Sequence, residues 1–186
     1  MRHSAFINTL LGVVLGCPRL PVVAATIAIL TCASCPIRSA DASSSSDELY
    51  RQAAIVEGVP LDLLIAVAGA ESGYHPWALN IDGQQVYCRS RAEAEGLLAR
   101  HDHVAIGLMQ INWQFWGPRI GLTKERLLDP ATNLMIGARI LKEGLGRDGS
   151  VWERISNYHS GSSHRRDKYN QLVYNSYLRY LRGEIK

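Results

Sequence analysis

Glu71 closes an apolar run, and thirty-six residues later Gly107-Leu108-Met109-Gln110-Ile111-Asn112 leads into Trp113 and Trp116. These types form a kit for cutting a sugar chain. A carboxyl donates a proton, amides meet acetamido and hydroxyl groups, and aromatic faces receive sugar rings. The residues before Glu71, 63–70, are almost all apolar, so its surroundings are expected to be dry. It also lies at a helix end, where the dipole disfavours another negative charge. Both effects push a carboxyl pKa upward. A carboxylic acid still protonated near neutral pH can protonate a glycosidic oxygen. Hydrolytic glycosidases ordinarily need a second carboxylate, and none stands out nearby.

Other candidates carry less. Asp62 is nine residues before Glu71, out of phase with it on a helix, and reads as support for the helix start. His101-Asp102-His103 alternates but lacks a third group at metal-ligand spacing, so it reads as a polar loop. Leu108, Ile111 and Phe115 are assigned to the core. Met109 reads as an adaptable apolar wall. The late tyrosines Tyr169, Tyr174, Tyr177 and Tyr180 are ascribed to helical packing, with lining of the groove as the alternative.

The elements that must hold these groups are mostly helical. The chain has 186 residues, enough for one domain and an appendage. Residues 1–42 read as an export signal running into a linker: Arg2, then apolar blocks at 6–15 and 20–33, then small residues at 39–42. Each block is too short to span a bilayer. The periplasm is the expected location. A retained anchor or a lipoprotein built on Cys32 or Cys35 is the alternative. Removing that segment takes away Arg2, Arg19, Arg38 and Asp41 and leaves 17 basic and 16 acidic residues, a net charge of +1. That excludes the basic footprint of a nucleic-acid binder; His164-Arg165-Arg166 reads as a solvated surface spot. Only Cys88 of the four cysteines would remain, so no internal disulfide is available.

Residues 43–46 read as a flexible linker, and 47–186 as the folded domain. Ser46 is expected to cap a helix ending at Gly58. Pro60 opens the next, with Leu61, Leu64, Ile65 and Ala68 at helical spacing, stopping at Gly73. Asp82-Gly83 marks a hairpin turn within 80–87. Ser90 caps a helix over 91–100, with Glu93 as its capping-box partner. Further helices are expected over 108–116 (closed by Gly117-Pro118), 130–145 (with Leu134, Gly137, Ala138 and Leu141 inward), 151–158 and 168–181. The fold class is all-α, with at most a small hairpin.

Three blocks in order carry a resemblance: Glu71-Ser72-Gly73-Tyr74, then Gly107-Leu108-Met109-Gln110-Ile111-Asn112, then Asn157-Tyr158-His159-Ser160-Gly161. The series resembles the lytic transglycosylases of lysozyme-like fold over about residues 47–180. The long interval after Glu71 is similar to the small exported branch that accompanies conjugation, type IV secretion, pilus and type III secretion machines. Two positions depart from the family pattern. His159 stands where an asparagine is frequent, and Ala105 where that branch often has an aspartate. The resemblance implies that Glu71 acts first as acid and then as base on peptidoglycan. The substrate's acetamido group would help, a 1,6-anhydro sugar would form, and no metal or organic cofactor would be required. It also implies substrate contacts from Ser72, Tyr74, Met109, Gln110, Asn112 and Tyr158, with Ser72 bonding Glu71. Components of a transfer or secretion apparatus are the implied partners. A water-using muramidase of the same fold and a non-catalytic glycan-binding component are the competing readings.

Overall fold

The computed structural model describes residues 42–146, 150–159 and 163–185. The expected export segment with Cys17, Cys32 and Cys35 lies outside the described residues. So do Ser160 and Gly161 of the third motif and the side chains of His159, His164 and Arg165.

Helix α1 spans Ala42–Glu57. The stretch expected as a linker is therefore helical, and Ser46 lies within the helix instead of capping it. No glycine or proline interrupts residues 42–57, and a serine costs a helix only a few tenths of a kcal/mol, roughly. Helix α2 spans Leu61–Ser72 and stops at Gly73, whose φ of 60° forms a left-handed cap. Leu63, Leu64, Ala66, Val67 and Ala68 are all buried, so α2 is enclosed on most sides, as its apolar composition requires. The Asp62 carboxylate accepts the Leu63 N–H at 2.9 Å and does support the helix start.

Strands β1 (Ala78–Ile81) and β2 (Gln84–Tyr87) pair antiparallel, with Asn80 opposite Gln85. Asp82 and Gly83 both have positive φ, 50° and 88°, the backbone of a two-residue hairpin turn. The β structure goes beyond this hairpin. Strands β3 (Val104–Ile106) and β4 (Ile111–Asn112) complete an antiparallel sheet of order β2-β1-β3-β4. Such short strands present too few residues to show a period of two. Helix α3 (Arg91–Leu98) starts at Ser90, whose hydroxyl accepts the Glu93 N–H at 3.2 Å. The Glu93 carboxylate in turn accepts the N–H of Arg89, one residue before the cap, at 2.9 Å. Replacing Ser90 with alanine should cost about 1 kcal/mol in urea denaturation, the usual value of such a cap.

The expected helix over 108–116 is displaced. Helix α4 is Trp113–Ile120, capped by the Asn112 side chain, which accepts the Phe115 N–H at 3.1 Å. It runs through Pro118 and ends at Gly121, φ 64°. Phe115, assigned to the core from sequence, is 51% exposed. The Arg119 guanidinium covers its ring at 4.0 Å.

Helix α5 (Pro130–Leu145) buries Leu134, Gly137, Ala138 and Leu141. Helix α6 (Val151–Arg154) passes into a 3-10 turn, Ile155–His159, and helix α7 spans Ser163–Leu181. Cys88 is buried and free. Helices α1 and α5 pack together, and α7 lies along α2. Gly69 permits that approach, because a Cβ there would sit 2.1 Å from Ser176 Oγ of α7 and 2.2 Å from Tyr74 Oη.

Candidate active site

Glu71 occupies the last turn of α2. Its carboxylate Oε1 accepts a hydrogen bond from the Tyr169 hydroxyl of α7 at 2.8 Å. The side chain keeps partial exposure, yet the packed protein around its carboxyl strips most of its hydration. That burial raises its pKa from 4.5 to about 7, against the smaller, opposing effect of the Tyr169 hydrogen bond. The group is therefore still half protonated near neutral pH.

Two phenols surround it. Burial and then the charge of Glu71 push both Tyr158 and Tyr169 well above the ordinary tyrosine value, so each remains a proton-bearing donor. Tyr158, in the 3-10 turn, donates to the Met109 carbonyl at 2.7 Å. This bond joins the third motif to the second, beside the first. Among the described residues no Asp or Glu acts on the Glu71 carboxyl, whose titration is set by burial and Tyr169.

The second motif is a turn between β3 and β4. Gly107 has φ 78°, and its N–H bonds the Ala78 carbonyl at 2.8 Å. A Cβ at this position would meet Asn133 Nδ2 at 2.3 Å. Asn133 of α5 is fully buried and holds the turn through three bonds. Its Oδ1 accepts the Met109 N–H at 2.8 Å; its Nδ2 donates to the Ile106 and Leu127 carbonyls, each at 2.8 Å. Gln110 adopts φ 44°, uncommon for a residue with a side chain. Its amide Nε2 donates to the Ala78 and Gly107 carbonyls at 3.1 and 2.9 Å. Both amide protons thus brace the turn, and the amide oxygen remains as an acceptor.

Several expected contacts are placed differently. Ser72 is buried and its hydroxyl donates to the Ala68 carbonyl at 3.1 Å, not to Glu71. A serine hydroxyl at a helix end finds the carbonyl four residues back at hand. The Met109 side chain is wholly buried and lies against Gly137; its backbone is what reaches Tyr158. Asn112 Oδ1 is taken by the α4 cap, which leaves its amide N–H groups. Tyr74 turns back along α2 to Ser176, 2.9 Å between hydroxyl oxygens. It lines a cavity of about 440 Å³ with Tyr50, Leu61, Ile65 and Leu134, and Glu71 is not part of that lining. Glu71, Tyr158, the Met109 backbone and the Gln110 turn do converge.

Asn133 is not among the residues expected at the site, and Tyr169 is expected there only as the alternative to helical packing. Tyr169, Val173 and Ser176 share one buried face of α7, and their spacing of four and three residues could have marked the stripe facing α2. Asn133 gives no comparable signal. Asp102 of the polar loop pairs with Lys124 at 2.8 Å. Among the described residues no three His, Cys, Asp or Glu side chains converge as a metal site.

A buried, proton-holding glutamate at the end of an enclosed helix, tied to a later tyrosine motif through a glycine turn, is the arrangement expected of the lysozyme-like lytic enzymes. Residues 48–176 match the Transglycosylase SLT domain model, and the chain belongs to that family. Its helical domain with a small antiparallel sheet has the family's lysozyme-like fold. Protein IpgF of Shigella flexneri is 28% identical over 161 residues, 81% of this chain and 88% of that protein. Invasion protein IagB of Salmonella typhimurium (strain LT2) is 29% identical over 146 residues, 73% of this chain and 78% of its own length. Protein virB1 of Agrobacterium fabrum is 31% identical over 120 residues, 61% of this chain and 48% of its own. No solved structure matches the chain.

Proposed function

We propose that this protein is an exported peptidoglycan lytic transglycosylase. It cleaves the β-1,4 bond between N-acetylmuramic acid and N-acetylglucosamine and leaves a 1,6-anhydro end. The observation that carries this reading is the Glu71 carboxyl, pKa about 7, hydrogen-bonded by Tyr169 with no carboxylate among the described residues acting on it. Protonated Glu71 gives its proton to the glycosidic oxygen as the bond to C1 breaks. The substrate's acetamido carbonyl stabilises the electron-poor C1. The Glu71 carboxylate then takes the proton of the muramic 6-hydroxyl, whose oxygen bonds C1. One residue serves twice, as microscopic reversibility allows, and the sugar supplies what a second carboxylate would give. The Gln110 amide oxygen and the Asn112 amide N–H groups are the polar groups available to the glycan.

The reading of residues 1–42 as an export segment, together with the resemblance, supports a periplasmic location, where the enzyme would open the wall locally for a transfer or secretion apparatus. The name of the relative IagB, an invasion protein, accords with that setting. The test is mass analysis of sacculi digested with the purified mature protein. A 1,6-anhydro product is expected. A reducing-end product, heavier by one water, would replace this reading with that of a muramidase.

The first step needs the protonated acid, so activity should decline as pH rises through about 7. Tyr169→Phe removes the hydrogen bond that favours the Glu71 carboxylate. The alkaline limb of its pH–rate profile should move up by about one pH unit, the size of one hydrogen bond to a charged group. A profile that keeps its limb and loses only amplitude would assign Tyr169 a purely structural role.

A further inference from the structure

Beyond Glu71 and its neighbours, the start of α4 forms a second concavity of about 380 Å³, lined by Asp102, Trp113, Gln114, Gly117, Pro118 and Leu122. Its floor is an indole laid flat on its own helix. A Cβ at Gly117 would stand 2.8 Å from the Trp113 ring, so glycine is what lets the ring lie there. Its rim is rich in acceptors. Pro118 has no N–H, so the Gln114 carbonyl lacks the usual helical donor four residues on. The Gln114 side chain is exposed and adds both an acceptor and donors.

Asp102 is the third rim group, and it is held in place. Lys124 Nζ donates to the Leu98 carbonyl at 2.8 Å, the His101 carbonyl at 3.1 Å and Asp102 Oδ1 at 2.8 Å. These three bonds use the whole donor capacity of the ammonium group. The second Asp102 oxygen stays open on a side chain that is 87% exposed. The ion pair also decides the kind of ligand. With its charge balanced by Lys124, the carboxylate offers a hydrogen-bond acceptor without a net field to draw in a cation. An apolar face bordered by neutral or neutralised acceptors fits a ring with C–H bonds on one side and hydroxyls at its edge.

We propose that this concavity is an outlying subsite for one pyranose ring of a glycan strand, the ring lying on Trp113 and its hydroxyls donating to Asp102 and Gln114. The inference rests on the transglycosylase reading for its polymer. Trp113 directly follows Asn112, the cap that joins α4 to the strand after the Gln110 turn.

Binding of β-1,4-linked N-acetylglucosamine oligomers tests it, with Glu71→Gln as the parent so that nothing is consumed. Isothermal titration compares a disaccharide with a hexasaccharide. In the parent, Asp102→Ala combined with Gln114→Ala should weaken the hexasaccharide by about tenfold, the loss of about one charge-assisted hydrogen bond. Disaccharide binding should be unchanged. Trp113→Ala should reproduce the split; because Trp113 also packs against the core, the double variant of exposed side chains keeps the test valid if it misfolds. Equal hexasaccharide affinity in the double variant and the parent overturns the subsite, and so does an equal loss for both oligomers. If the parent binds no glycan and wild type does not digest sacculi, the transglycosylase reading itself falls. Digestion by wild type with unchanged hexasaccharide binding removes only the subsite.

Discussion

Glu71→Gln is expected to abolish anhydro-sugar formation and, at the same time, to make the protein harder to unfold at neutral pH. The first effect follows from the proposed double role. The amide can neither give the proton nor take the second one, so turnover should fall at least about a thousandfold, within the range for lost general acid–base catalysis. The second follows from linkage. The folded-state pKa of about 7 lies above the ordinary glutamate value of 4.5, so the native protein holds the proton more tightly than the unfolded chain. The stabilisation this gives is complete below pH 4.5 and is lost as pH rises through about 7. The difference amounts to about 3 kcal/mol. Glutamine keeps the shape and cannot ionise. The variant's advantage over wild type in urea denaturation should be small at pH 4 and reach that size by pH 8. An advantage independent of pH would show that the carboxyl is not desolvated in the folded protein. Variant sacculus digestion at the wild-type rate would remove Glu71 from the mechanism.

Asn133→Ala should be the most damaging single change away from Glu71. It strands the Met109 N–H and the Ile106 and Leu127 carbonyls where water has little access. Each unsatisfied buried group costs about 1–3 kcal/mol, so the sum should be about 4 kcal/mol, a large share of a domain's stability. Function should fail along with stability, because the Met109 turn carries the carbonyl that orients Tyr158. Asn133→Asp keeps one acceptor but loses both donated bonds and adds a buried charge, so it should not rescue the protein. Chemical denaturation of the three proteins checks this. A loss under 1 kcal/mol for Asn133→Ala would mean that the turn stands without its asparagine.

Local signals were legible wherever a short stretch decides its own conformation. The Ser90 cap, the Asp82-Gly83 turn, Gly73 as the end of α2 and Pro130 as the start of α5 all depend on residues within one turn of each other. The same logic misplaced Ser46. A serine marks a helix start only if the residues before it leave the helix, and here they continue it back to Ala42. It also misjudged Gly117-Pro118. A proline six residues into α4 costs one hydrogen bond, and the helix continues to Ile120 beyond it. Phe115 came out exposed because the segment that carries it is a strand followed by a new helix. That change of element rotates its face away from the core.

From sequence alone came the helical domain, the acid at the end of an apolar helix and the order of three motifs, since these rest on composition, spacing and capping among near neighbours. Tertiary structure alone decided that Tyr169, 98 residues from Glu71, would meet its carboxyl. It likewise decided that Asn133 would carry the glycine turn, and that Ser72, Met109 and Tyr74 would turn to structural partners. Those contacts arise where α7 lies on α2 and α5 backs the sheet. Which polar atoms face each other across such a junction depends on the packing of whole helices, and no window of neighbouring residues contains that information.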